Sequence, residues 1–269
     1  MPEDVIDKMG LVWSSIDSLC SDLTEEEWAT ATECPGWSVQ DQISHLVGSE
    51  SQLMGNPAPE HTPADLSHVK HPMGAQNEVA VDYRRSRSGD EVMAEFRSVT
   101  EERLAQLLLM TDEELSADSW TPVGPGQLRD LIAVRVLDAW VHEQDIRRAL
   151  GRPGHLEGPV VEHSIDRLLQ GLPMVVGKKA AAPEGSTVVF RVSSPVKRTQ
   201  VIGVTGGRAR VMSEAVDEPT VTLTMDTETF AVLCNGRVDP EEVLTAGRVE
   251  IEGDDDLGRT VVSNMAFMV

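Results

Sequence analysis

The chain has 269 residues, 40% apolar and 25% charged, the balance of a folded globular protein with room for two ordinary domains. Aromatic residues make up only 4%, so its cores must be largely aliphatic. With 45 acidic against 23 basic residues the formal net charge is −22, a field that repels phosphate backbones and anionic membrane surfaces and argues against nucleic acid or membrane as a partner. The opening Met1-Pro-Glu-Asp-Val-Ile-Asp7 has neither the basic nor the apolar region of a signal peptide, and no apolar run approaches the roughly 18 residues needed to span a bilayer. Cys20, Cys34 and Cys234 are odd in number, widely spaced and form no CxxC, so the expectation is a reduced, cytoplasmic protein without disulfides.

Val5, Met9, Val12, Trp13, Ile16 and Leu19 recur at helical spacing and predict a first helix over 4–20. Thr24 followed by Glu27 is a capping-box pattern that opens a short helix, which Glu33-Cys34-Pro35-Gly36-Trp37 then breaks. Ser38 is a good N-cap for a second long helix, with Val39, Ile43, Leu46, Val47, Leu53 and Met54 on one face. Residues 56–72 read as a loop, and a helical pattern runs from Gln76 to a break near Ser88-Gly89. Asp90 leads into a helix with Val92, Phe96, Val99, Arg103 and Leu107 inward, and Thr121 to Gly126 reads as a loop. The next helix runs to a C-terminal signal at Gly151, with Pro153 beyond it. Four long amphipathic helices in the first part of the chain suggest a four-helix bundle.

A further helical segment over 157–176 precedes a linker at 178–185, which puts the expected domains at 1–177 and 185–269. Beyond it the period changes to two. Val188, Phe190 and Val192 alternate in one half-buried strand, and Val221, Leu223 and Met225 in another. Residues 200–204 and 208–212 form a hairpin pattern around Gly206-Gly207, 226–235 and 254–268 read as helices, and 249–252 as a strand between them. The fold class is therefore two-domain α+β: a helical bundle followed by a small α+β domain.

On the helix after the 121–126 loop, Asp138 and His142 stand four residues apart on one face, with Asp145 a turn further on. That face flanks the apolar stripe of Leu128, Ile132, Ala139, Ile146 and Leu150, so the pair belongs at the rim of a packed core. A carboxylate and an imidazole placed there either hydrogen-bond each other or supply two metal ligands. His45, on the second long helix, is the candidate third ligand, although its wheel position beside Asp41, Ser49 and Gln52 suggests an exposed flank. A His/Asp/His set matches three-ligand catalytic sites with open positions, and suits zinc, with iron, nickel or manganese as alternatives.

The run Thr32-Glu-Cys34-Pro35-Gly36-Trp37-Ser-Val39-Gln-Asp41, continuing to His45-Leu46, Gly48 and Glu50, resembles the opening signature of the mycothiol-dependent maleylpyruvate isomerase family. Trp140-Val-His142-Glu-Gln-Asp145-Ile146 with Ala149-Leu-Gly-Arg-Pro153 resembles its second signature. The resemblance implies a DinB-like metal-binding four-helix bundle, with His45, Asp138 and His142 as the metal ligands. Asp138 stands where better-known isomerases carry glutamate. The C-terminal half, with Leu223-Thr-Met-Asp226, Phe230 and Gly247-Arg248-Val-Glu-Ile-Glu-Gly-Asp254, resembles the family's sterol-carrier-like second domain.

The resemblance further implies zinc or another divalent metal, the actinobacterial thiol mycothiol and a small electrophilic substrate, in a monomer or homodimer. Metal coordination would hold the thiol as thiolate for attack on an electrophilic carbon, in a cis-trans isomerisation or an S-transfer. Cys34 is a rival nucleophile, but beside Pro35-Gly36 a small packing residue is the readier reading. Arg248 is the candidate catalytic residue of the second domain, opening a strand at the expected domain junction where a substrate carboxylate could be clamped; a solvated strand residue is the competing reading. Asp145 could orient a ligand histidine or be a surface charge, and Glu50, on an apolar stripe, needs a partner, either the metal site or an arginine. His61, His68 and His71 are too irregularly spaced for a metal motif. The competing functions are a non-catalytic metal-binding protein and a small-molecule or lipid carrier.

Overall fold

In the computed structural model, which describes residues 5–268 except Val123 and Ala215, α1 (Val5–Leu19) buries the stripe Ile6, Met9, Val12, Trp13, Ile16 and Leu19. Thr24 opens α2 (Glu25–Trp28) with the two reciprocal bonds of a capping box: Glu27 N donates to Thr24 Oγ1 at 3.3 Å, and Thr24 N to Glu27 Oε2 at 2.9 Å. Ser38 and Asp41 repeat the device at the start of α3 (Val39–Leu53). α4 (Pro72–Asp82) begins earlier than the expected Gln76, because His71 Nδ1 accepts from Gly74 N at 3.2 Å and Pro72 suits a first turn. The break expected at Ser88-Gly89 is the capped start of α5 (Gly89–Leu108), followed by the short α6 (Asp112–Leu115).

The expected loop at 121–126 is instead the turn of a ribbon, β1 (Asp118–Thr121) paired antiparallel with β2 (Gly124–Gln127); Val123, within that loop, lies outside the described residues. A two-stranded ribbon needs ladder bonds on one edge only, so Pro125 is accommodated opposite Trp120, and Thr121 Oγ1 donates to Gly124 O at 2.7 Å. α7 (Leu128–Ala149) follows, and Gly151 at φ +61° supplies the left-handed stop. α1 packs on α5 and α7, α3 packs on the same two helices, and α4 lies on α3. The four longest of them, α1, α3, α5 and α7, close a bundle.

The chain divides into two units, Met1–His155 and Leu156–Val269, so the division falls before the 178–185 linker. The reason lies in α8 (Pro159–Leu169), which buries Val160, Val161, Ile165, Leu168 and Leu169 within the second unit and packs there on α10 (Thr227–Cys234). After α8 come α9 (Leu172–Met174) and a π-helical turn, Val175–Lys179. Five strands follow: β3 (Thr187–Val192), β4 (Arg198–Thr205), β5 (Arg208–Met212), β6 (Val221–Met225) and β7 (Val249–Gly253). Their order is β5-β4-β3-β6-β7, with β3 and β6 parallel and the other pairs antiparallel. Val188, Phe190, Val221 and Leu223 are fully buried, and β3 departs from simple alternation because Val189 is buried too.

Two differences concern helices. α11 (Pro240–Thr245) was not anticipated, and α12 (Asp255–Ser263) is shorter than the expected 254–268. Past Asn264 the chain turns so that Phe267 N and Met268 N both donate to Cys234 O at 3.1 Å, and the Phe267 ring fills the space over Gly171.

Within the bundle, Arg84 holds both oxygens of Glu95, at 2.7 and 2.9 Å, and Arg87 adds a second guanidinium. Burial raises the Glu95 carboxyl, but the hydrogen bonds and charge of Arg84, then of Arg87, outweigh it and hold the group below its ordinary value. A carboxyl depressed in the folded state contributes stability that is complete above its unfolded pKa of about 4.3 and lost as pH falls through the folded value. Urea unfolding measured from neutral pH downward should therefore show a smaller acid-induced loss for Glu95→Gln than for the parent below about pH 4.3.

Candidate functional site

α3 and α7 pack side by side, and His45 from one meets Asp138 and His142 from the other along their seam. His45 Nε2 lies 3.3 Å from Asp138 Oδ2, and His142 Nε2 lies 3.6 Å from Asp138 Oδ1. One donor atom from each of the three residues falls within 4.8 Å of the others. The imidazoles of His45 and His142 meet edge to face, with ring centroids 4.7 Å apart. The exposed flank expected for His45 is not found. The residue is 4% exposed, because the Trp37 ring packs 5.1 Å from it and 5.8 Å from His142.

Burial pushes the His45 imidazole down to about 4 against the opposing pull of Asp138, so at neutral pH the ring is uncharged and keeps a lone pair. Burial would raise Asp138, but the charge of Arg135 holds its carboxyl well below the usual range. Arg135 Nη1 donates to Asp138 Oδ2 at 2.7 Å while its Nε donates to Glu50 Oε1 at 2.7 Å. Glu50 Oε2 in turn lies 3.5 Å from Arg103 Nε. Glu50 and Arg103 are both buried, so the partner that Glu50 required is arginine.

The turn carrying Trp37 is fixed from two sides. Thr32 N donates to Trp37 O and Val39 N to Thr30 O, both at 2.9 Å, closing residues 30–39 into a tight loop. Gly36 sits at φ +80°, and a Cβ there would lie 2.5 Å from His68 Cγ, so both backbone conformation and space demand glycine. Trp37 Nε1 donates to Glu78 Oε2 at 2.8 Å; Glu78 is fully buried and also meets His68 Nε2 at 3.1 Å and Arg85 Nη1 at 2.6 Å. The loop histidines are thus fasteners: His61 pairs with Asp82, His68 with Glu78, and His71 caps α4.

On the far side of His142, its Nδ1 lies 2.5 Å from Gln42 Oε1 and 3.7 Å from Asp145 Oδ2. Asp145 is fully buried and accepts from Arg148 at 2.7 Å, which corrects the surface-charge alternative. Burial pushes the Cys20 thiol up to about 12 and Cys234 well above its ordinary value, so neither is a ready thiolate. Cys34 N donates to Thr32 Oγ1 and Cys34 O accepts from Trp37 N, a turn-building role. Arg248 belongs to the second unit, immediately before β7, where it is exposed and its Nε donates to Thr229 Oγ1 at 3.1 Å. Gln42 and Arg135 were not singled out in the sequence. Each stands three residues before a triad member, His45 and Asp138, and that spacing was the available signal.

A helical bundle gathering a His/Asp/His set, followed by a five-stranded sheet-and-helix unit, defines a two-domain α+β class. The chain belongs to the mycothiol maleylpyruvate isomerase family, whose N-terminal domain profile matches residues 9–147 and whose C-terminal domain profile matches residues 162–259. Among solved structures, the crystal structure of the mycothiol-dependent maleylpyruvate isomerase is 15% identical, with a TM-score of 0.58 over 92% of this chain and 91% of that one. A histidine-to-alanine mutant of that isomerase gives a TM-score of 0.55 at 15% identity, over 87% of this chain and 88% of that one. At that identity the likeness shows the fold. An uncharacterized protein of Mycobacterium tuberculosis, from strain CDC 1551 / Oshkosh and from strain ATCC 25618 / H37Rv, is 27% identical over 138 residues, covering 51% of this chain and 52% of the relative. The chain spans about half the length of the curated relatives it matches.

Removing Glu50 would leave Arg135 and Arg103 facing each other without their shared carboxylate. Glu50→Ala should cost about 3–5 kcal/mol, read as a lower urea midpoint at unchanged slope.

Proposed function

We propose that this chain is a divalent-metal- and mycothiol-dependent enzyme acting on a small electrophile, by cis-trans isomerisation or thiol transfer, with His45, Asp138 and His142 as the metal ligands and zinc as the first candidate. The observation that carries the reading is the convergence of three donor atoms within 4.8 Å from two helices, all inside the matched N-terminal domain and two of them, His45 and His142, inside the signature stretches. The donor set fits such an ion. Two imidazole nitrogens and a carboxylate oxygen form a borderline set suited to zinc, and three protein ligands leave positions open. Burial keeps His45 neutral, which a ligand imidazole requires.

When bound, the ion would lower the pKa of a coordinated thiol so that the thiolate prevails at neutral pH. The chain's own residues prepare that site. Arg135 anchors one oxygen of Asp138, which steadies the carboxylate and leaves Oδ1 facing His142. Gln42 engages the outer nitrogen of His142, and the Trp37 ring shields both imidazoles from water. No protein cysteine is needed as nucleophile, in keeping with the raised Cys20 and Cys234 thiols.

Elemental analysis of the purified parent beside His142→Ala tests the reading. Near-stoichiometric zinc or another divalent ion in the parent, lost in the variant, is the expected result, followed by mycothiol-dependent turnover of an activated alkene. A parent that holds no metal after reconstitution overturns it.

A further inference from the structure

The Thr32–Gln42–His142 contacts have a direction that hydrogen-bond chemistry fixes from one end. The Trp37 carbonyl can only accept, and Thr32 Oγ1 lies 2.8 Å from it, so the threonine spends its single proton there. The same oxygen then has two acceptor positions left. Cys34 N–H fills one at 3.2 Å and Gln42 Nε2 the other at 2.7 Å. Gln42 must therefore turn its amide nitrogen toward Thr32 and its carbonyl toward His142 Nδ1, 2.5 Å away. A flipped amide would set its oxygen against a hydroxyl whose proton is already committed. Gln42 is fully buried, so its surroundings offer no bulk water as a substitute partner. The Asp145 carboxylate lies 3.7 Å from the same ring nitrogen and the Asp138 carboxylate 3.6 Å from the other, so the Gln42 carbonyl, at 2.5 Å, is the contact that decides between them.

We propose that Thr32 and Gln42 are positioning residues that fix the tautomer of His142, placing its proton on Nδ1 and its lone pair on Nε2, the atom that faces Asp138. The turn built around Cys34-Pro35-Gly36-Trp37 thus does more than pack against the bundle: its Trp37 carbonyl sets the polarity of the chain that ends on His142. A neutral imidazole left to itself divides its proton between the two nitrogens, and only the form with a bare Nε2 can donate electrons toward the seam. The relay is a property of the chain alone, whereas its effect on metal affinity rests on the function proposed above.

The test uses metal-free full-length protein with isotopically labelled histidine nitrogens, observed by long-range proton–nitrogen correlation at about pH 8, where an ordinary histidine is neutral. The His142 signals are assigned by their loss in His142→Ala. The parent should show a single Nδ1–H tautomer. Gln42→Met, which keeps the volume and removes both hydrogen-bonding groups, should show a mixture of tautomers while circular dichroism stays unchanged. Thr32→Val should loosen the tautomer preference and Thr32→Ser restore it. In zinc-chelator competition, Gln42→Met should bind zinc roughly 10–100-fold more weakly than the parent. A parent with its proton on Nε2 or shared between the nitrogens, or a folded Gln42→Met with the parental pattern, overturns the proposal. A parent that has the fixed tautomer, lost in Gln42→Met, but binds no zinc removes the metal reading and leaves the relay standing.

Discussion

Four alternating charges run through the bundle seam where aliphatic side chains would ordinarily meet: Arg103, Glu50, Arg135 and Asp138. Charges removed from water are tolerated only when each has a partner close by, and each here does. The arrangement fixes how α3 and α7 face one another, because Glu50 on α3 must reach Arg135 on α7 at 2.7 Å. Once that pairing is made, His45, five residues before Glu50 on the same helix, is brought to Asp138, three residues after Arg135. The cluster of His45, Asp138 and His142 is a by-product of a charge register.

A second set of constraints approaches from the N-terminal side of α3. The turn at 30–39 holds Trp37 against both imidazoles, and its own position depends on Glu78 of α4 and on the loop histidine His68 packed over Gly36. Four elements therefore converge on two histidines: α3, α4, α7 and the turn. Because the contacts are charge-assisted or sterically exact at Gly36, the site is held by directional bonds rather than by apolar packing alone.

Periodicity carried the helices. The stripe of α1, the capping boxes at Thr24 and Ser38 and the Gly151 stop all depend on local spacing, and local spacing is written in sequence. The candidate pair Asp138 and His142 was legible for the same reason, being one turn apart on a single helix. The surroundings were harder to read. A wheel built on α3 alone put His45 on an exposed flank, because it could not show that Trp37, from outside the helix, would cover that flank. Helical spacing leaves Asp145 free to be a surface charge, because only the fold shows it buried beside Arg148. The β1–β2 ribbon was hidden by Pro125 and its glycine neighbours, which read as loop when no partner strand is in view. The allegiance of α8 was hidden too, since its apolar face says that it packs but not against what.

The position of Trp37 has an optical consequence. Of the five tryptophans in the chain, this indole lies with its ring centroid 5.1 and 5.8 Å from those of the two histidines of the triad. Its excited state is therefore close enough to sense a change of charge at those rings, an intrinsic reporter within the chain that needs no added dye.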